Sequence, residues 1–450
     1  MNNNLSHLLK KPVSIAPLAV FRVLFGFIMF VSVARFVLNG WVQTQYIDPQ
    51  FYFSFYGFEW IKPLDAFGMY TLFGVMAISA LAIMLGAYYR ISAVLFFLSF
   101  TYVELIDKTN YLNHYYFISV ISFMLIFLPA HRYFSWDVIR KPWLKLETIP
   151  HWFVLVIQLQ LAIVYFYAGA AKLNADWMLA ALPLKMWLPV NNHLPLIGPL
   201  LDQEWVAYFF SWFGAIYDLT IPFFLFFAVT RSYAYIAVIA FHLITWLLFP
   251  IGMFPFIMIA LTLIFFGSDF HHKVINKLTL LLQKLKLNVE VKQQQCTSTS
   301  ISSKFAAFVL AIVLLFQIVM PWRYMLYPGN LFWTEEGYRF SWRVMLMEKA
   351  GYVIFHLKDP NTGKRWEAYA SDFLTPMQEK QMSTQPDMIL QYARFLEQKH
   401  MEQGGDDIEV RAEAYVTLNG RGSRLLIDPA IDLTRQKDGF THKNWILSYQ

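Results

Sequence analysis

Nine long apolar runs, broken by short polar stretches, dominate the first 321 residues: about 14–38, 66–88, 91–106, 115–130, 152–171, 205–228, 232–249, 251–267 and 305–321. Crossing the hydrocarbon core of a bilayer takes about 20 apolar residues. The pattern therefore predicts an α-helical polytopic membrane protein of about nine transmembrane helices, with 1–321 as its transmembrane domain. The first run is too long for a secretory signal and lacks a small-residue cleavage site, so it is expected to stay as a span. Lys273 to Leu287 interleaves lysines with Val274, Ile275 and Leu280, as an amphipathic helix on the membrane surface does. Gln293 to Ser303 reads as a flexible linker within a cytoplasmic segment, 268–304.

From Trp322 the pattern changes to that of a soluble α+β unit, 322–450. Tyr352–Leu357 and Arg365–Ala370 flank a turn at Asp359 to Gly363, a hairpin signature. Met377–His400 has helical periodicity. Glu409–Leu418 and Ser423–Ile427 form a second hairpin around Asn419 and Gly420.

Charge sets the orientation. With the N-terminus inside, fourteen lysines and arginines fall in inside segments, whereas the short outside loops hold only Lys62, Lys108, Lys172 and Lys185. By the positive-inside rule the N-terminus is cytoplasmic and the C-terminal α+β domain extracytoplasmic. Charged residues make up 15% of the chain and mean hydropathy is +0.43, against about 25% charged in ordinary globular domains. The net charge of +6 thus reflects topology rather than nucleic-acid binding. A single cysteine, Cys296, excludes an intrachain disulfide and a cysteine-based metal site, and no HExxH or other metal-ligand spacing occurs. There is no Gly-rich phosphate loop and no GxSxG turn.

Three ionisable side chains come to one depth in this topology. Lys172 ends the fifth run, His114 opens the fourth and His242 sits inside the seventh. An amine beside hydrocarbon loses hydration when charged and becomes a proton acceptor near neutrality. Ionisable residues at membrane depth are functional candidates by default. Position alone equally fits a snorkelling lysine, a helix-entry histidine, and a histidine bonded to a carbonyl or to Thr245. Asp176 and Trp177 read as an interfacial pair, with Trp177 in the aromatic belt.

Ordered blocks along nearly the whole chain carry a resemblance. They include Leu18 to Gly26, Tyr89-Arg90-Ile91-Ser92, Asp107-Lys108-Thr109 with Asn113-His114, and Ala168-Gly169 with Lys172-Leu173-Asn174-Ala175-Asp176-Trp177. Phe241-His242, Ile251-Gly252-Met253-Phe254, Ser341-Trp342 and Asp428-Pro429 follow. The chain resembles the vitamin K-dependent gamma-glutamyl carboxylases. The resemblance implies that Lys172 is the base that deprotonates reduced vitamin K (menaquinol or phylloquinol) and that His114 supports the quinol. It places Asn113, His242, Trp177 and Met253 around this cofactor, and Tyr338 and Trp342 near the glutamate. Oxygen and CO2 are the co-substrates, no metal takes part, the quinone comes from the bilayer, and the partner is a glutamate-containing protein or peptide. In such chemistry oxidation of the quinol to its epoxide generates the base that removes a γ-proton, and the carbanion captures CO2.

This sequence departs from vertebrate members at Ala171, where they carry a second lysine, at Phe340, in place of a tyrosine, and at Met347, in place of a histidine. Two other readings stay open: a quinol epoxidase without glutamate carboxylation, and a non-enzymatic transporter or assembly protein. The absence of a C-terminal retention signal leans towards a bacterial inner membrane.

Overall fold

The computed structural model describes residues 7–284 and 303–449. Among these, seven helices are long and apolar enough to cross a membrane. The site is built from α1 (Ala16–Leu38), α2 (Ala66–Leu85), α3 (Tyr89–Ile106), α4 (Asn113–Phe127), α5 (Trp152–Ala171), α6 (Glu204–Phe226), α7 (Arg231–Leu248), α8 (Phe254–Leu261), α9 (Ser268–Lys284) and α10 (Ser303–Val319). Each of the nine apolar runs has a helical counterpart. Two differ from full spans: α4 has 15 residues, and the segment Phe254–Phe265 bends by 118° into α9. Gly267 and the polar Ser268-Asp269 stand at that bend, where the apolar run ends.

Helix α9 is amphipathic as expected. Its Ile275 is buried against Ala16, Ala19 and Val20 of α1, and His272 Nε2 lies 3.0 Å from Ser14 Oγ. At the same end, β1 (Pro12–Ser14) pairs with β2 (Thr148–Pro150). The expected linker and Cys296 lie outside the described residues.

At the opposite end the loops after α1, α3 and α5 meet the C-terminal region. Its four-stranded antiparallel sheet runs β4 (Arg365–Ala368), β3 (Lys349–Lys358), β5 (Glu409–Leu418), β6 (Arg424–Leu425). Both expected hairpins form. Strand β5 alternates half-buried and buried positions throughout, the period-2 signature of a sheet with one covered face. Its turn, closed by Arg421 N donating to the Leu418 carbonyl, passes through Asn419 (φ 52°) and Gly420 (φ 72°), the residue types that best tolerate left-handed backbone. The helix expected over 377–400 is two helices, α11 (Pro376–Met382) and α12 (Pro386–Glu402). Pro386 has no N–H for a continuous helix but suits a first turn, so the chain breaks at Ser383–Gln385.

These contacts define two ends. Every loop that reaches the C-terminal region is one that the lysine and arginine distribution assigns to the outside.

Candidate active site

Lys172 is the residue that ends α5. Beneath it, Gly169 lets α6 approach so closely that an added Cβ would lie 2.7 Å from Leu219 N and 3.0 Å from Asp218 C. That approach brings Asp218 under the lysine. Lys172 Nζ donates to Asp218 Oδ2 at 2.6 Å and to the Ala168 carbonyl at 3.1 Å. Lys172 is 7% exposed and Asp218 4%. The lysine therefore does not snorkel; it turns inward to a carboxylate. Removing one member of such a buried pair typically costs about 3–5 kcal/mol, because the other charge is stranded.

The loop after Lys172 is fastened to the same face of α6. Asn174 caps the short helix Ala175–Ala180 by accepting from Trp177 N. Trp177 Nε1 donates to the Ser211 carbonyl at 2.8 Å, and Ser211 Oγ donates back to the Trp177 carbonyl. Ser211 and Asp218 are seven residues apart on α6, two helical turns on one face. Trp177 is thus a buried packing residue rather than a member of an interfacial belt, and its ring centroid lies 5.4 Å from Lys172 Nζ. Asp176 also has a different role from the interfacial one expected. It accepts two hydrogen bonds from Arg421, at 2.6 and 2.7 Å, and one from Asn419 Nδ2 at 2.7 Å. Arg421 holds the Asp176 carboxyl below its ordinary range.

Two turns deeper on α5, about 10 Å along the axis, Tyr165 Oη is bonded to His242 Nε2 at 3.0 Å. The His242 ring therefore pairs with Tyr165, while the expected Thr245 contact is made by Thr245 Oγ1 donating to the His242 backbone carbonyl at 3.0 Å. The ring of Phe254 lies between two histidines, with centroids 5.8 Å from His242 and 5.6 Å from His114. Tyr217, next to Asp218, stacks on Phe241 at 4.0 Å. Beside this aromatic group His242 Nδ1 is buried without a partner, and the Tyr217 and Thr262 hydroxyls are grouped with Tyr165 Oη. Spare hydrogen-bonding capacity inside an apolar wall suits a planar ring carrying two oxygens.

Asn113 serves a different neighbour. Its Nδ2 donates to the Arg343 carbonyl at 2.7 Å, and its Oδ1 accepts from Tyr111 Oη. Tyr111 Oη in turn accepts from Phe340 N. The segment so held contains three non-glycine residues with left-handed φ: Phe340 (60°), Trp342 (57°) and Met345 (50°). Such conformations cost about 1–3 kcal/mol each and persist where surrounding contacts impose them. Trp342 is buried, stacked 4.9 Å from Tyr116. Tyr338 packs beside Phe332 in the second core. Met253 immediately precedes α8 and packs against the main core.

A cavity of about 550 Å³ lies beside this segment, lined by Ala170, Ala171, Leu173 and Asn174 on one side and by Ser341 and Arg343 on the other. A second, of about 640 Å³, lies across Tyr116 and includes Glu104, Lys108 and Arg339. Tyr338 and Trp342 line neither. The sequence-derived residues thus fall into three groups: Lys172 with Trp177, His114 with His242 through Phe254, and Asn113 with the strained segment. Asp218, Tyr165 and Arg343 were not singled out from sequence, although an acid inside the apolar run 205–228 is itself a signal. Among the described residues no His, Cys, Asp and Glu group suited to a metal ion occurs.

The helical bundle and the sheet-bearing C-terminal region define an integral membrane protein with two parts. Residues 10–270 match the HTTM domain, a membrane domain, and residues 302–450 match the vitamin K-dependent gamma-carboxylase lumenal domain. The chain belongs to the vitamin K-dependent gamma-glutamyl carboxylase family. Membership gives it a carboxylase-like function that implies use of reduced vitamin K and a glutamate-containing protein substrate. No solved structure matches the chain.

Proposed function

We propose that the protein couples oxidation of vitamin K hydroquinone by O2, to the epoxide, with addition of CO2 to a protein glutamate. The observation that carries this reading is the buried Lys172–Asp218 pair above the Tyr165–His242 bond, with His242 Nδ1 left unpartnered. When bound, the quinol supplies on oxidation the basicity that no side chain has for a carbon-bound proton.

The chain's own residues have narrower tasks. Lys172 Nζ first passes a proton to Asp218 Oδ2 across their 2.6 Å hydrogen bond, and the neutral amine so formed takes the hydroxyl proton. His114 and His242 flank the ring edge on either side of Phe254, with Tyr165 orienting His242. Tyr217 and Thr262, grouped with Tyr165, offer hydrogen bonds to oxygen atoms. The aromatic wall keeps water out, which protects strongly basic species from bulk protons. The lysine and arginine distribution supports an extracytoplasmic C-terminal region, so the peptide reaches the site from outside and the quinone from the bilayer.

The test is epoxide formation from reduced vitamin K under air by detergent-purified protein, run beside incorporation of labelled CO2 into a glutamate peptide. Wild type is expected to give both products and Lys172→Ala neither. Epoxide made equally by Lys172→Ala would overturn the assignment of the base. Epoxide without carboxylated peptide in the wild type would favour the epoxidase reading.

A further inference from the structure

The 550 Å³ cavity has a net positive charge that nothing among the described residues lining it balances. Three charged residues line it: Asp176, Arg421 and Arg343. The first two neutralise one another through two hydrogen bonds. Arg343 is 9% exposed, its Nε is without a partner, and among the described residues no carboxylate pairs with it. Its guanidinium sits over the ring of neutral Tyr324, 4.5 Å away, whose hydroxyl also offers it a hydrogen bond. A cation so poorly solvated and unpaired is unfavourable by itself, and a ring face offsets only part of that.

The position of this cation is imposed. Asn113 holds the Arg343 carbonyl at 2.7 Å, and the left-handed Trp342 directs the chain at the preceding residue. Across the cavity lie Ala171 and Leu173, the two neighbours of Lys172. The volume falls in the range of small-ligand sites, enough for one side chain and a short stretch of backbone. Arginine's planar fork matches a carboxylate by two parallel hydrogen bonds.

We infer that this cavity binds the carboxylate of the acceptor side chain, with Arg343 as its anion partner. The inference rests on the proposed glutamate carboxylation and assigns the acceptor's specificity to one residue. Arg343 holds the acid group, and the carbon to be carboxylated then faces the Lys172 side of the cavity. In the neighbouring cavity Lys108 and Arg339 share Asp387, and the lining carboxylates Glu104, Glu335, Glu336, Asp387 and Asp438 outnumber its cations Lys108, Arg323, Arg339 and Lys443.

Equilibrium binding to the full-length protein in detergent tests this, using an end-blocked glutamate tripeptide and its glutamine isostere. Wild type is expected to prefer the glutamate peptide by about 10- to 100-fold, the scale of a charge-assisted hydrogen bond. Arg343→Gln should abolish the preference, and Arg343→Lys should retain part of it. A preference that survives in Arg343→Gln, or is absent from wild type, overturns the inference. If Arg343→Gln does not fold, wild type still decides: the glutamate peptide, unlike the glutamine one, should protect Arg343 from phenylglyoxal, and equal labelling would refute the site. The epoxide assay is scored separately. A wild type that makes no epoxide but keeps the preference removes the proposed reaction, and one that makes epoxide without the preference removes only the anchor.

Discussion

Lys172 Nζ and Asp218 Oδ2 meet at 2.6 Å across the α5–α6 interface. The lysine is therefore half of an ion pair inside the protein rather than an isolated amine made basic by burial alone. To act as a base the ammonium must first give up a proton, and Asp218 Oδ2 is the acceptor already in place, so no water is needed.

Asp218→Asn should accordingly lower the epoxidation kcat by about 10²- to 10⁴-fold, the usual contribution of a positioned acid–base group. Asp218→Glu should recover part of the rate. Steady-state kinetics with purified variants, with a melting curve for each, separates a lost proton partner from a lost fold. An unaltered kcat in folded Asp218→Asn would show that the pair is only structural.

Tyr165→Phe removes the partner of His242 Nε2 while keeping the ring. The imidazole is buried and its Nδ1 is already without a partner, so neither nitrogen would be satisfied. A loss of about 1–3 kcal/mol is expected, measured as a lower denaturation midpoint in detergent. No change in that midpoint would mean that the Tyr165–His242 bond adds nothing.

Gly169→Leu is expected to separate α5 from α6, because even a Cβ meets the Leu219 backbone at 2.7 Å. Overpacking of this kind costs about 1–3 kcal/mol. Because the separation also pulls Asp218 from Lys172, epoxidation should fall further than the melting temperature alone predicts. Activity that falls only in proportion to the folded fraction would argue against this coupling.

Acid should loosen the C-terminal region from the loops it rests on. Burial by itself would raise the Asp387 carboxyl, but Arg339 and Lys108 outweigh it and hold the group well below the ordinary carboxylate range. A depressed carboxyl contributes stability that is complete above its unfolded value, about 3.9. That stability is lost as pH falls from there through the folded value. Melting temperatures from pH 7 to pH 3 should drop below about pH 4 in wild type. Asp387→Asn should start lower and change less over the same window, and parallel curves for the two proteins would contradict this.

The spans were legible because about 20 apolar residues in a row admit few other readings. Both hairpins were legible because alternation and turn chemistry are local. What period cannot reveal is which helices touch. Asp218 stands alone in its run, and only the close approach at Gly169 makes it the partner of Lys172. Trp177 looks interfacial in sequence yet is buried, because Ser211 lies two turns from Asp218 on the same face of α6. Arg343 was illegible for a different reason: its isolation depends on left-handed residues in an irregular segment. The break before Pro386 was readable from that proline, but the apolar spacing on both sides of it concealed the interruption.

The grip of Arg421 on Asp176 also has a temporal side. The two residues are 245 positions apart, and Asp176 belongs to the loop that directly follows Lys172. A ribosome makes and inserts that loop long before it makes its partner, and the loop stays unanchored throughout the interval. Assembly of the cavity beside the lysine is thus a late event in the life of each new chain, and an unfinished molecule in the membrane lacks one of the walls within which its chemistry would be confined.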